Sequence, residues 1–585
     1  MDDKIILLPY PREMLLTGEL TSRRFDKLKF EAVLSPEKVK KQQGYHLKIS
    51  KESITILAYD EVGLFYADKT LKQIVQQFLD EDMLPCLEIE DWPDFPVRGI
   101  MLDISRDKIP TMDSLYALID MMSSWKINQL QLYIEHAFAY QQHATVWKDS
   151  SPLTAEQAQS LDSFCRDRFI ELVPIQNSFG HMHRWLKHEQ YKDLAELSEG
   201  WGSGFTCDKE PFTLCPTDSR TMGFLNSLYD ELLPNFSSRN LGVGLDETLE
   251  LGKGKSKAIC QANGVGRVYL DFLNKLEKEV SKRGHVMMYF GDVIIKYPEL
   301  IAELPRNAIV VHWGYGAHFP YDKDCRLFAE AGIPFYVAPS NSTYRSVAGR
   351  TKRAIMNIRN AVANGLKHGA IGVLNTEWGD CGHWQPQSTS YLGFAYGAAL
   401  SWAYKANENI DISEALSKHV FLDKNSVMGE LVYDIGNLFL PTSGEDLTSN
   451  LHEVILNADM TRSEWPFNEI QIRDLQQTKE LASCLLTKLS EVDLRMSDSQ
   501  IVLREYDFVL RFIAFVCDFG LNFLCSNSMR MCDLSKEKRI LLNKQLDELI
   551  SIYRDVWSLR NREGGLADSL CWYDKVQKSL QSSVD

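Results

Sequence analysis

The chain of 585 residues is 44% hydrophobic and 11% aromatic, a composition that supports several packed cores and excludes the disordered and fibrous classes. Its formal net charge of -16, with no local cluster of Lys and Arg to offset it, excludes the electrostatic footprint of a nucleic-acid binder.

The N-terminal segment MDDKIILLPYPREM sets acids before a short apolar run and has no small-residue cleavage site, so it does not read as a signal peptide. Twelve cysteines occur without a CxxC pair, and Cys165, Cys517 and Cys525 sit in apolar surroundings. That usage predicts buried free thiols in a cytoplasmic protein. Within residues 1–94, YHLKISKESITILAYDEVGLFYADKTLKQIVQQF reads as two alternating strands and an amphipathic helix, an α+β domain. The Pro-rich DWPDFPVRG (91–99) connects this domain to the central part of the chain.

From residue 98, short apolar runs alternate with helical patterns: RGIMLDIS, QLQLYIE, FIELVPIQN, NLGVGLD, VMMYFGD, AIVVHWGY, PFYVAPS and AIGVLNTEW. Strand and helix in strict alternation predict a (β/α)8 TIM barrel over residues 95–405, whose functional residues belong at the C-terminal ends of its strands. Arg106 follows the first run, Glu135 and His136 end the second, and Asn177 and His181 follow the third. Asp246 and Glu247 end the fourth, Asp292 ends the fifth, Trp313 lies late in the sixth, Asn341 and Tyr344 follow the seventh, and Trp378 and Asp380 close the eighth. Beyond 405 the strands stop, and residues 406–585 read as an all-helical region packed on the barrel. Within it, YDFVLRFIAFVCDFGLNFLC (506–525) carries Arg511 and Asp518 and reads as a core helix rather than a membrane span.

Two adjacent acids at the end of a buried strand, where the backbone turns, can both face one cleft and suit acid-base chemistry. Trp313, Trp378, Trp384, Tyr289, Phe290 and Tyr344 fall near the same mouth, and flat rings beside acids favour a carbohydrate pocket. His181, His183 and His188 in GHMHRWLKH lack the glutamate and spacing of a zincin helix and no cysteine joins them, so no metal is expected. His181 reads as an orienting or relay group, and His183 and His188 as surface or structural residues. ELGKGKSK lacks the spacing of a phosphate loop.

With RGIMLDISRDKIP (98–110), the SFGH segment ending at His181, the Asp246-Glu247 pair and WGD (378–380), residues 1–405 resemble glycoside hydrolase family 20, the β-N-acetylhexosaminidases. The likeness is to its cytoplasmic bacterial members with a helical C-terminal region. The resemblance implies hydrolysis with retention in which the 2-acetamido oxygen of the substrate itself attacks the anomeric carbon, through an oxazolinium ion, without cofactor. Glu247 would be the general acid and base, Asp246 would hold the acetamido N–H and stabilise developing positive charge, and His181 and Glu135 would form the relay behind Glu247. Glu135 stands where an aspartate is common in the family. Arg106 would grip hydroxyls of the terminal sugar, Asp380 its O4 and O6 side, Trp313 and Trp378 its faces, and Tyr344 the acetamido carbonyl. Arg98 would be structural. Asn341, Asp292 and Phe290 complete the predicted substrate-binding set; Phe290 stands where a tryptophan is common, and Leu245 where a glycine is.

The predicted activity is therefore exo-hydrolysis of terminal non-reducing β-GlcNAc or β-GalNAc from an oligosaccharide or glycoside, with no nucleic-acid or membrane partner. Two alternatives stand beside it: a non-catalytic carbohydrate-binding protein on this fold, and a retaining glycosidase with a carboxylate nucleophile. The sequence leaves open gluco against galacto preference, linkage and aglycone, a homodimer, and the role of the helical C-terminal region.

Overall fold

A computed structural model describes residues 5–23, 28–79, 81–200, 209–443, 455–456, 470–526 and 534–581, so the first four residues of the N-terminal segment lie outside the described residues. The predicted strand pair and helix of the N-terminal region are β3 (Tyr45–Ile49), β4 (Ser53–Ala58) and the helix Glu61–Gln77. Asp60 caps that helix by accepting from the Gly63 backbone N–H at 2.8 Å. The sheet also holds β1 (Glu13–Ser22), β2 (Lys29–Leu34) and β5 (Met83–Asp91), in the order β1-β5-β3-β4-β2.

The eight apolar runs form β6 (Val97–Asp103), β7 (Gln129–Ile134), β8 (Glu171–Gln176), β9 (Asn240–Gly242), β10 (Val286–Phe290), β11 (Ile309–Trp313), β12 (Phe335–Ala338) and β13 (Gly372–Glu377). They close into one parallel barrel. Both faces of every strand are covered, which is why the runs are continuously apolar instead of alternating with polar residues. Alternate residues still part: Met101, Tyr133, Ile175, Met288, Phe290, Val311 and Tyr336 fill the barrel, while Leu102, Leu132, Leu172, Met287, Tyr289 and Val310 pack outward against the helices.

The N-terminal sheet is fastened to the barrel by buried polar groups. Lys126 Nζ lies 2.9 Å from Asp91 Oδ2 and donates to the Tyr45 hydroxyl, while Trp402 Nε1 donates to Asp91 Oδ1 at 2.9 Å. Trp402, at the end of the barrel's last helix (Tyr391–Trp402), is buried in the core of the N-terminal domain. Arg98 is structural: it is fully buried and donates to the carbonyls of Phe95 and Lys126 and to the Tyr66 hydroxyl.

Beyond residue 405 the described chain is helical. The helix Ser499–Ser526 contains the long apolar run, and its stretch Ser499–Cys525 is long and apolar enough to cross a membrane. Here 61% of the most apolar window is buried in the molecule, against the helices Ile472–Lys488 and Lys536–Arg560. Cys165 and Cys517 are buried as read from sequence, but Cys525 is exposed, near the end of that helix where packing runs out. The helical region grips the barrel through Arg560, whose Nε lies 2.6 Å from Glu505 Oε1 and whose carbonyl accepts from the Thr111 N–H, and through Arg562, which donates to the carbonyls of Pro110 and Pro152.

Candidate active site

The inward-facing register of the strands runs on past their ends, and this places the polar layer. Met101 is followed two residues later by Asp103, Tyr133 by Glu135, Ile175 by Asn177 and Phe290 by Asp292. Asp103 accepts from the backbone N–H groups of Ser105 and Arg106 and, through Oδ2, from the Gly379 N–H at 3.0 Å, so one carboxylate ties the loop carrying Arg106 to the loop carrying Asp380.

Asp246 and Glu247 do not sit at the last strand position. β9 ends at Gly242, and the pair stands four and five residues later, on a loop with left-handed backbone at Gly244 (φ +69°), Leu245 (φ +75°) and Glu247 (φ +46°). Such angles cost non-glycine residues strain that surrounding contacts must offset. Leu245 is buried, and its carbonyl accepts from the Tyr269 hydroxyl at 3.1 Å. Gly180 allows the next loop to lie against the pair: a Cβ there would stand 2.4 Å from the Asp246 carbonyl oxygen.

The pair converges on one ring. His181 Nε2 lies 3.2 Å from Asp246 Oδ2 and 3.2 Å from Glu247 Oε2, and its Nδ1 lies 3.7 Å from Glu135 Oε1 and 3.1 Å from Arg106 Nη2. With Arg106 against its other edge, Nε2 is the position at which the ring can hold a proton towards the two carboxylates. Burial of His181 opposes its charge, but Asp246 and Glu247 outweigh burial and raise its pKa to about 10. Asp246 is nearly enclosed, with 7% of its side chain exposed, whereas 29% of the Glu247 side chain is open to the mouth. Of the two acids, Glu247 is the one that solvent reaches. These three groups stand close enough to take a metal ion, each offering one ligand atom within 4.8 Å of the others, but the guanidinium against the other edge of the ring disfavours a second cation.

Behind the ring, Glu135 is fully buried and binds Arg106 Nε at 3.1 Å and the Tyr133 hydroxyl at 3.0 Å. Arg106 stacks over Tyr133, 4.4 Å from its centroid, and lies 5.1 Å from that of Trp378. Asp292 Oδ2 accepts from the Glu247 backbone N–H at 3.2 Å; burial, then the nearby charge of Asp246, raise its carboxyl to about 7. Burial likewise pushes Asp380 above the usual carboxylate range, against the pull of Arg106 and Arg345.

Aromatic rings form the other side of the mouth. Trp378 meets Tyr133 edge to face at 4.7 Å and lies 5.9 Å from Phe290, and its Nε1 donates to the Tyr315 hydroxyl at 2.6 Å. Tyr315 stacks on Trp313 at 5.0 Å and leans on Tyr344 at 5.7 Å. Aromatic walls of this kind suit the apolar faces of a sugar ring.

Several expectations are corrected. Tyr289 occupies an outward position of β10 and packs under the helices, and Trp384 is buried against Trp572 of the C-terminal helix, so neither lines the mouth. Asn341 accepts from Thr343 and lines a separate small cavity with Arg350 and Thr389, away from the acid pair. Of the two places read for His183, surface or structural, it takes the structural one: it is buried and stacks on Phe212 with its Nε2 4.0 Å from Glu135 Oε2. Asp103, Tyr133 and Tyr315 went unmarked in the sequence. Their signal was the inward period of two, which Asp103 and Tyr133 keep within β6 and β7 and which Tyr315 carries one step beyond Trp313, the last residue of β11.

Residues 95–390 match the family model described as Glycosyl hydrolase family 20, catalytic domain, and residues 16–92 the model described as Glycosyl hydrolase family 20, domain 2. Among curated proteins the chain is similar to a Beta-hexosaminidase of Porphyromonas gingivalis, 23% identical over 303 residues that make up 47% of this chain and 38% of that protein. The chain thus matches well under half of that relative's length. Among solved structures, the chitobiase of Flavobacterium johnsoniae aligns with a TM-score of 0.59 at 16% identity over 94% of this chain and 98% of that one. The exo beta-N-acetylglucosaminidase of Vibrio harveyi in complex with N-acetylglucosamine aligns with a TM-score of 0.57 at 15% identity over 74% and 78%. These structural likenesses are likenesses of fold.

Proposed function

The chain belongs to glycosyl hydrolase family 20, and from that membership we propose that it is an exo-β-N-acetylhexosaminidase that removes terminal non-reducing β-GlcNAc or β-GalNAc with retention, the substrate's acetamido group acting as nucleophile. The observation that carries the reading is the shared ring: Asp246 and Glu247 both reach His181 Nε2 at 3.2 Å. Carboxylates gathered on one nitrogen do not face each other across a glycosidic bond, as a nucleophile and an acid of the two-carboxylate scheme must. They suit a division of labour in which the more open Glu247 protonates the leaving oxygen and later activates water, while the enclosed Asp246 stays charged beside the acetamido nitrogen. The imidazole between them can take or return a proton as Glu247 changes charge, and Glu135 and Arg106 hold the ring in place behind it. Arg106 and Asp380 are suited to the sugar hydroxyls, Trp378, Trp313 and Phe290 to its faces, and Tyr344 to the acetamido carbonyl.

The test is release of an aryl group from the 2-acetamido-2-deoxy β-glucoside, its galactoside and the plain β-glucoside. Hydrolysis is expected on the acetamido sugars alone, with strong inhibition by a thiazoline mimic of the oxazolinium. Glu247→Gln should lower kcat by about 100- to 10,000-fold on a substrate whose leaving group needs a proton. Turnover of the plain glucoside without thiazoline inhibition would favour a carboxylate nucleophile, and binding without turnover a lectin-like protein. We place the reaction in the cytoplasm, a reading supported by the buried thiols Cys86, Cys165, Cys215, Cys260, Cys325 and Cys517; activity confined to the soluble fraction of gently lysed cells is the expected result.

A further inference from the structure

The barrel mouth does not end at Arg106. A cavity of about 330 Å³ continues past Arg106, Glu135 and Asp380, and its far wall is made by the C-terminal helix Leu566–Gln581 through Asp568, Cys571 and Trp572. These three positions, spaced three and four residues apart, share one helix face. We propose that this face is the outer wall of the saccharide pocket and that Asp568 and Trp572 determine specificity at the hydroxyl edge of the terminal sugar; the proposal rests on the glycosidase reading above.

Three observations carry it. The first is direction. From Glu247 through His181 to Arg106 the contacts run 3.2 Å and 3.1 Å on either side of one imidazole ring, so a hexosamine with its glycosidic oxygen at Glu247 extends its opposite edge towards Arg106 and Asp380, where the cavity opens. The second is fixation. The helix is docked by close backbone approach, since a Cβ on Gly565 would stand 1.7 Å from the Asp107 carbonyl oxygen and one on Gly382 2.8 Å from Trp572 Cδ1. Ser569 Oγ donates to the Gly382 carbonyl, beside Asp380, and Trp572 meets Trp384 edge to face at 6.1 Å. The wall is therefore packed directly on the loop bearing Asp380.

The third is chemistry. Arg184 forks between Asp107, at 2.8 Å, and Asp568, at 2.9 Å, which spends its charge on the protein and orients Asp568, whose side chain remains 54% exposed. A carboxylate with spare acceptor positions beside an indole suits the hydroxyls of a sugar, and Lys187, which also lines the cavity, adds a donor for them.

The experiment uses the full chain and the aryl 2-acetamido-2-deoxy β-glucoside, its galactoside, and the 4-deoxy and 6-deoxy analogues of the glucoside. Asp568→Asn is expected to raise KM on the parent glucoside about tenfold with kcat within twofold, the size of one lost hydroxyl contact. That penalty should vanish on the analogue lacking the hydroxyl that Asp568 reads. Trp572→Ala should shift the gluco to galacto ratio of kcat/KM, and Trp572→Phe should restore most of it. Folded variants with unchanged KM and ratio would overturn the proposal, as would equal penalties on parent and both deoxy analogues, which mark a merely structural role. A wild type inactive on every acetamido sugar would instead sink the glycosidase reading and this inference with it.

Discussion

Asp292 lies beneath Glu247, holding its backbone nitrogen, and burial beside Asp246 raises its carboxyl to about 7 from an ordinary value near 3.8. A carboxyl raised in the folded state binds more protons folded than unfolded between those two values. Its contribution to stability is therefore fully present below about pH 4, falls as pH rises through about 7, and is absent above. Asn at this position still accepts from the Glu247 N–H but does not titrate. The difference in melting temperature between Asp292→Asn and wild type should accordingly move in the variant's favour from pH 4 to pH 8 and then level. A difference that stays flat over that range would show that Asp292 is not the group that titrates.

At the scale of elements, the loop after β9 shows two opposed costs at one residue. Glycine at Leu245 would release about 1–3 kcal/mol of left-handed strain, while emptying the space of a buried leucine costs about 2–5 kcal/mol and a freer unfolded chain adds about 0.4–1 kcal/mol more. Leu245→Gly is thus expected to be less stable than wild type by about 1–3 kcal/mol in urea unfolding, and a more stable variant would refute this balance. The eight strands were legible because burial on both faces writes an unbroken apolar run. The acid pair was legible as chemistry but not as geometry, since propensity gives no sign that Leu245 and Glu247 take positive φ. Tyr289 and Phe290 show the same limit: neighbours of like composition face opposite sides of β10, and only the register tells which one meets Trp378. Asn341 was misplaced because a loop after β12 has no period from which to read direction.

Over the whole molecule, what the sequence could not disclose are contacts between distant segments, which leave no local pattern. The helical content beyond residue 405 was plain from periodicity. That its last helix reaches the barrel mouth was not, because Ser569 and Gly382 are 187 positions apart. Within this region Arg560 is buried with its guanidinium on Glu505 and on Asp498 at 2.6 Å, while its carbonyl accepts from Thr111 and Ser114 of the barrel. Removing Glu505 leaves this buried cation to Asp498 alone, so Glu505→Ala should cost stability, up to about 3–5 kcal/mol if Asp498 does not compensate. If Arg560 instead relaxes onto Asp498 alone, the measured loss in chemical denaturation will fall well below that range and the pair will prove dispensable.

The indole of Trp402 has a bearing on how the chain is made. It completes the core of a domain whose strands end at Asp91, and it leaves the ribosome some three hundred residues later. Asn407 bonds both backbone groups of Tyr10, and His419 faces the Ile6 carbonyl at 2.7 Å, so the delay extends further still. At about 5–20 residues per second of synthesis, the N-terminal sheet waits on the order of tens of seconds for this indole. The native packing of the N-terminal core is thus complete only after the barrel's last helix has been made; its beginning is finished by its middle.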